Sequence, residues 1–216
     1  MRLWVFPGIL AAAVCVCGQE PGAAKPPSNE PQGIAPRAAP TDYQAQGKAG
    51  AITIGAEFAG HAIPTPDGPL SSDDYVVVEA GVFGPDKLPL SFSDFSLRIN
   101  GKKNPTPGEP YGRVVESVTD PEWAPPEKHD KPKTMIGGGG ASAGGSSDPP
   151  SKPKVPIDVQ RAWAQRVKKA SLQEGDRPLP QAGLLFFPYK GKAKGIHSIE
   201  LIYSGPAGTA TLELQP

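Results

Sequence analysis

The chain has 216 residues, enough for one domain of ordinary size with appendages. Proline and glycine make up a quarter of it, a proportion at which part of a sequence is expected to remain unfolded. The 22 basic and 22 acidic residues balance, which argues against nucleic acid or an anionic membrane surface as a partner held by bulk charge.

The first 18 residues have the pattern of a signal peptide. Arg2 precedes an apolar run from Leu3 to Val16, and polar residues follow Gly18. The run is shorter than the roughly 20 residues that a membrane-spanning helix needs. We therefore predict a signal peptide at 1–18 that directs export across a bacterial inner membrane. The mature protein would be periplasmic or secreted, without a transmembrane span; the alternative is an apolar arm packed on the domain.

Both cysteines, Cys15 and Cys17, lie inside this segment. A lipid anchor at Cys17 is the less favoured interpretation, because such a signal normally has a small residue before the cysteine, where Val16 stands. Cleavage after Gly18 leaves a mature chain without cysteine. Such a chain has no disulfide, thiol nucleophile or thiolate metal site.

Residues 19–47 are predicted to be a disordered tether. Prolines alternate there with glycine, alanine, glutamine and single charges. Such a stretch buries too little apolar surface to offset its ordering entropy.

Alternation of apolar and polar side chains, or a short apolar run, predicts strands in the rest of the chain. They are Ala51–Phe58, Tyr75–Phe83, Phe95–Ile99, Gly183–Tyr189, Ile196–Tyr203 and Thr209–Leu214. Asn100 and Gly101 predict a hairpin turn with a return strand starting at Lys102, since both turn residues tolerate positive φ. Residues 190–195 read Lys-Gly-Lys-Ala-Lys-Gly, which predicts a basic turn.

A long proline- and glycine-rich insertion is expected to be flexible over 113–155. Its glycine run is not a phosphate cradle, since no strand leads into it and no Gly-Lys-Ser/Thr closes it. A helix over about 156–172 follows, with Pro156 in its first turn and apolar residues three and four apart. This helix either docks a partner or packs Trp163 onto the domain, and we favour packing.

These elements predict a mainly β fold over 48–216: an immunoglobulin-like antiparallel β-sandwich with a long insertion carrying one short α-helix. About 100 residues are typical of such a sandwich. The sequences Tyr75–Ala80, Leu90–Lys103, Gly183–Phe187 and Ile199–Tyr203 resemble the telokin-like immunoglobulin-fold domain of uncharacterised bacterial envelope and secreted proteins. The resemblance covers about half of the chain and implies fold and export. It supplies no catalytic residues, and the insertion departs from the compact pattern.

The residues offer little for metal or acid–base chemistry. His61, His129 and His197 lack metal-ligand spacing, and we predict no metal and no cofactor. Carboxylates cluster at Asp73-Asp74 and in an acidic loop of Glu116, Asp120 and Glu122. Such pairs serve hydrolysis or calcium binding in some proteins, but at strand starts they are more often solvated. No Gly-x-Ser-x-Gly elbow is present, so we assign no catalytic residue and expect no enzyme.

Aromatic residues give the strongest indication of binding. Tyr111, Trp123 and Trp163 are the candidate partner-binding residues, because exposed Trp and Tyr anchor interfaces and stack on sugars. Alternatively, Trp123 pins the insertion back onto the domain.

Three functions follow. The leading hypothesis is a non-enzymatic interaction or structural module of the cell envelope, with an unknown envelope protein or a glycan as its partner. The second is a carbohydrate- or peptidoglycan-binding module using Trp123 and Tyr111. The third is an extracytoplasmic hydrolase using the acidic loop residues.

Overall fold

A computed structural model describes residues 33–124 and 155–216, and this part of the chain is mainly β. The strands are β1 (Ala45–Ala49), β2 (Ile52–Gly60), β3 (Ala62–Ile63), β4 (Leu70–Ser72), β5 (Tyr75–Phe83), β6 (Lys87–Leu90), β7 (Phe95–Ile99), β8 (Thr106–Pro107), β9 (Val118–Thr119), β10 (Gly175–Pro178), β11 (Gln181–Pro188), β12 (Ile199–Gly205) and β13 (Gly208–Leu214). The helices are α1 (Tyr111–Val114) and α2 (Ile157–Ala170). The predicted signal peptide and His129 lie outside the described residues.

Two four-stranded antiparallel sheets share the main core. The first sheet has the order β1-β2-β5-β11, and the second has the order β13-β12-β7-β8. Their facing apolar side chains form one buried cluster, because successive residues of a strand point to opposite faces. The main core includes Ile52, Ile54, Val76, Val78, Val82, Phe95, Leu97, Leu201, Tyr203 and Leu212. The alternation predicted for Tyr75–Phe83 and Phe95–Ile99 is therefore confirmed, with the strand bounds unchanged.

The hairpin turn after β7 is present, but the predicted return strand is wrong. Asn100 and Gly101 have φ of 54° and 64°, and Lys102 N–H donates to Ile99 O over 3.2 Å. The return strand is β8, which pairs Thr106 with Leu97. Lys102 and its neighbours as far as Asn104 are exposed and have no apolar side chain to bury, so pairing starts later.

A second core covers the outer face of the first sheet. Val77, Leu184 and Phe186 of that sheet pack against α2 and the small antiparallel sheet β3-β4-β9. From α2 the second core takes Trp163, which is 6% exposed, together with Val167 and Ala170. The helix predicted over about 156–172 is α2, and it packs on the domain as we favoured.

The insertion is ordered at its start. Residues 113–124 contain the end of α1, a 3-10 turn at Val115–Ser117 and β9. Val114 and Val118 are buried in the second core, so the prediction of flexibility is wrong for this part. Residues 125–154 lie outside the described residues.

The predicted tether is likewise wrong over 33–47. Ile34 forms a β-bridge with Ala182, and Tyr43 is only 6% exposed. Its ring lies over Gly55 and Gly81, which face each other on β2 and β5 and leave a slot with no side chain. The packing of Tyr43 against these two glycines therefore orders residues 33–47, although their composition is that of a linker. Residues 19–32 lie outside the described residues.

Candidate functional site

A cleft of about 610 Å³ opens where the β2–β3 turn, the β4–β5 turn and the β11–β12 loop meet. We call it the lysine cleft. Its lining residues are His61, Asp73, Lys190, Gly191, Lys192, Ala193 and Lys194. The β11–β12 loop, residues 189–198, supplies all three lysines.

His61 fastens this loop to the body of the protein. Its Nδ1 lies 2.8 Å from the carbonyl oxygens of both Ser72 and Tyr75, and its Nε2 lies 2.9 Å from Gly191 O. Carbonyl oxygens only accept hydrogen bonds, so the imidazole must donate. One side chain thereby joins the two turns to the lysine loop.

Asn100 holds the other end of the loop. Its Nδ2 donates to Gly195 O over 2.7 Å, and its Oδ1 accepts from the backbone N–H groups of His197 at 2.7 Å and Ser198 at 3.3 Å. The left-handed φ of Asn100 in the hairpin turn presents this amide to the loop. Tyr189 N–H also donates to Asp74 O over 2.8 Å. The lysine loop is thus attached at its beginning, middle and end.

The lysine cleft carries a local surplus of positive charge in a chain whose charges balance overall. Lys190, Lys192 and Lys194 are exposed, and Asp73 is the carboxylate among the lining residues. Small residues separate the lysines. At Gly191 a Cβ would stand 2.5 Å from the Tyr189 ring, so glycine lets the loop turn closely around this tyrosine.

A second cleft, of about 320 Å³, adjoins the first through Lys190. Its lining residues are Asp74, Tyr75, Arg113, Glu116, Ser117, Pro188 and Lys190. Two carboxylates and two cations balance there, and one of these cations is Lys190, which the two clefts share. Tyr75 O–H donates to Glu109 Oε2 over 2.9 Å. Burial, supported by this hydrogen bond, raises the pKa of Tyr75 to about 12.

The acidic residues singled out from the sequence are divided among different roles. Asp74 and Glu116 line the second cleft, whereas Asp73 lines the lysine cleft. Asp120 forms an ion pair with Arg166 over 3.3 Å, and both side chains are 17% exposed. Glu122 is exposed, and its backbone N–H donates to Asp120 Oδ1. In the acidic loop, Asp120 therefore has a structural role in the fold, whereas Glu122 remains exposed.

The three aromatic candidates belong to the second core or its border. Trp123 meets the buried Trp163 edge to face, with ring centroids 6.0 Å apart and planes at 89°. Tyr111 and Trp123 are half-buried against the same cluster. The structure thus brings the two tryptophans together as packing partners and places neither in a cleft described above.

Sequence reasoning missed the lysine cleft, although part of its signal was visible. The alternation of lysine with small residues at 190–195 suggested only a basic turn. The role of His61 leaves no local signal in the sequence, because its contact with Gly191 joins residues 130 positions apart. Within residues 33–124 and 155–216, no group of three or more His, Cys, Asp or Glu side chains has a geometry for metal binding.

No family model, curated protein or solved structure matches the chain. In the parts of the chain that the structure describes, no helix is both long and apolar enough to cross a membrane. The chemistry of the lysine cleft is that of a preformed cationic surface, which suits recognition of an acidic group.

Proposed function

We propose that this chain is a non-enzymatic interaction module of the bacterial cell envelope, exported by the segment 1–18 and built on an immunoglobulin-like sandwich. The observation that carries the proposal is the lysine cleft, whose loop is attached by His61 and Asn100. Two antiparallel sheets around one apolar core, together with the resemblance of their strands to envelope domains, support the fold assignment. The lysine cleft is the surface at which we expect the partner to bind.

The geometry favours binding over hydrolysis. Asp120, which the hydrolase hypothesis needs, already neutralises Arg166. Glu109 accepts a hydrogen bond from the Tyr75 hydroxyl, which leaves that carboxylate engaged in the fold. A glycan platform at Trp123 is also less favoured, because part of this ring is taken up by its contact with Trp163.

Site-specific photo-crosslinking in the native bacterium tests this proposal. A photo-reactive amino acid replaces Lys192 in the lysine cleft or, as the matched control, the exposed Lys169 near the end of α2. We expect a defined adduct in the envelope fraction from the first position and not from the second. The mass of the mature chain should correspond to an N-terminus at Gln19. An uncut chain in the cytoplasm, or the same adducts from both positions, would refute the proposal.

A further inference from the structure

We infer that the lysine cleft binds a compact multivalent oxyanion, such as a diphosphate or a tricarboxylate, and that His61 and Asn100 are positioning residues for it. This inference rests on the proposed function, because it takes the cleft to be the binding surface. It names the chemical class of the ligand.

The number and kind of charges in the lysine cleft favour a multivalent anion. Three lysine side chains from one short loop line the same cleft, with Asp73 as the opposing carboxylate. An ammonium group is a compact point charge with three donors, which pairs well with a single phosphate or carboxylate oxygen. Asp73 offsets one of the three charges, so an anion with one charge would leave one ammonium group without a counter-charge. A ligand with two or more charges close together matches the remaining surplus.

The shape of the lysine cleft favours a small soluble ligand. A volume of about 610 Å³ falls within the range of clefts that hold small molecules. The lysines lie around a cleft instead of being spread over a flat face. The site therefore suits a soluble ligand better than an anionic lipid surface, for which a broad basic surface or segment is usual.

The backbone of the lysine loop is also preorganised for binding. Flexible loops lose conformational entropy when they bind, which reduces affinity. Here Gly191 and Gly195, which alternate with the three lysines, are already hydrogen-bonded through their carbonyl oxygens to His61 and Asn100. The loop backbone is thus fixed before the ligand arrives. The two side chains act through the loop and need not touch the ligand.

Titration calorimetry of the mature chain with pyrophosphate, at low ionic strength, tests the inference. The combined variant Lys190→Met, Lys192→Met and Lys194→Met should bind at least roughly 30-fold more weakly, at somewhat under 1 kcal/mol for each exposed charge. The matched control is Lys87→Met, Lys168→Met and Lys169→Met. It removes the same charge from exposed positions elsewhere, and its affinity should stay within about twofold of wild type.

Asp73→Asn provides a test in the opposite direction. Removing the one carboxylate among the lining residues should strengthen pyrophosphate binding by about two- to fivefold, because a like charge near the anion is lost. A purely structural role for Asp73 would not improve affinity. Unchanged or weaker binding by this variant counts against the charge argument.

Asn100→Gly separates loop positioning from folding. Glycine keeps the positive φ of the turn but removes the amide that bonds Gly195, His197 and Ser198. We expect a thermal midpoint close to wild type, faster backbone motion of residues 189–198 by NMR relaxation, and affinity about fivefold lower. His61→Ala should likewise speed backbone motion, here around Gly191, and lower the affinity for pyrophosphate. Affinity unchanged in both variants would refute the positioning roles.

Two further ligands complete the experiment. Citrate replaces pyrophosphate to distinguish a carboxylate source from a phosphate source, and binding of either one with the lysine dependence above supports the inference. Vesicles containing phosphatidylglycerol test the lipid surface, and binding to vesicles without binding to either soluble anion would overturn it. A specific adduct at Lys192 in cells, combined with no oxyanion binding, would refute only the ligand class and leave the proposed function in place.

Discussion

Glu57 and Glu79 lie directly opposite each other on β2 and β5, and Arg37 binds both carboxylates. Its Nη1 lies 2.6 Å from Glu57 Oε2, and its Nε and Nη2 each lie 3.2 Å from an oxygen of Glu79. Like charges opposite each other on neighbouring strands destabilise a sheet, so this pair depends on the cation. Burial alone lowers the pKa of Arg37, but the hydrogen bonds to Glu79 and Glu57 outweigh it and raise that pKa above its ordinary value.

Arg37→Ala should lower the free energy of unfolding by about 1–3 kcal/mol. This loss of unfolding free energy lies between the values for exposed and for buried ion pairs, because the Arg37 side chain is 30% exposed. Arg37→Lys should fall in between, since lysine cannot contact Glu79 with two parallel N–H groups. Urea unfolding measures all three proteins. The double variant Arg37→Ala, Glu79→Gln should recover part of the loss, and no recovery would contradict the bridging role.

Gly81→Val should expel Tyr43 from its slot. A Cβ at Gly81 would overlap the Tyr43 hydroxyl, and one at Gly55 would stand 2.5 Å from the ring. Overpacking of this kind costs about 1–3 kcal/mol, and Tyr43→Ala, which empties the slot, costs about 3 kcal/mol. The two losses should not add in the double variant, because they remove the same contact. Limited trypsin digestion should then cut at Arg37 sooner than in wild type; additive losses would contradict this prediction.

Stability should fall between about pH 10 and pH 12 in part because of Tyr75. In the unfolded chain its hydroxyl ionises near the ordinary value of 10, whereas in the folded chain its pKa is about 12. Between these values the folded state holds more protons than the unfolded state, so unfolding becomes more favourable as the pH rises. Burial also raises the pKa of Tyr43 and Tyr203, so these residues contribute in the same direction. Tyr75→Phe should make the decline shallower without removing it, as measured by urea unfolding across this range.

Trp163→Ala should destabilise the protein much more than Trp123→Ala. Trp163 is 6% exposed within the second core, and its loss should cost about 3–5 kcal/mol. Trp123 is half-buried, so its loss should cost about 1–2 kcal/mol, chiefly from the contact between the two rings. Thermal unfolding followed by circular dichroism checks the order. A larger loss from Trp123→Ala would mean that the two roles are reversed.

Alternation or a short apolar run in the sequence was enough to predict β2, β5, β7, β11, β12 and β13 of the two main sheets, but not β1 or β8. The bounds of Tyr75–Phe83 were predicted correctly. Every second residue from Val76 to Val82 is apolar and lies on one buried face. The order of residues 33–47 was not predictable in this way. It depends on Tyr43 meeting two glycines that lie on different strands, and composition within the segment carries no trace of that slot.

The candidate site was predictable only in fragments. The lysines at 190, 192 and 194 were visible as a charged turn, and Asn100 with Gly101 was visible as a hairpin signal. What makes them a site is the convergence of His61 and Asn100 on one loop, through hydrogen bonds to backbone atoms about 100 positions or more away in the chain. Hydrogen bonds to backbone carbonyls leave no residue-type signature at the accepting end.

The β-bridge of Ile34 would also limit how far the domain could stand from a membrane if the chain carried a lipid at its N-terminal segment. If a lipid were attached at Cys17, the span between the lipid and the domain would end where Ile34 joins β11, and not at residue 47, where the predicted tether ends. A fully extended chain covers at most about 3.3–3.6 Å per residue, so the maximum reach is about 55–60 Å instead of roughly 100 Å for a tether ending at residue 47. The lysine cleft of such an anchored protein would then sample ligands close to the bilayer.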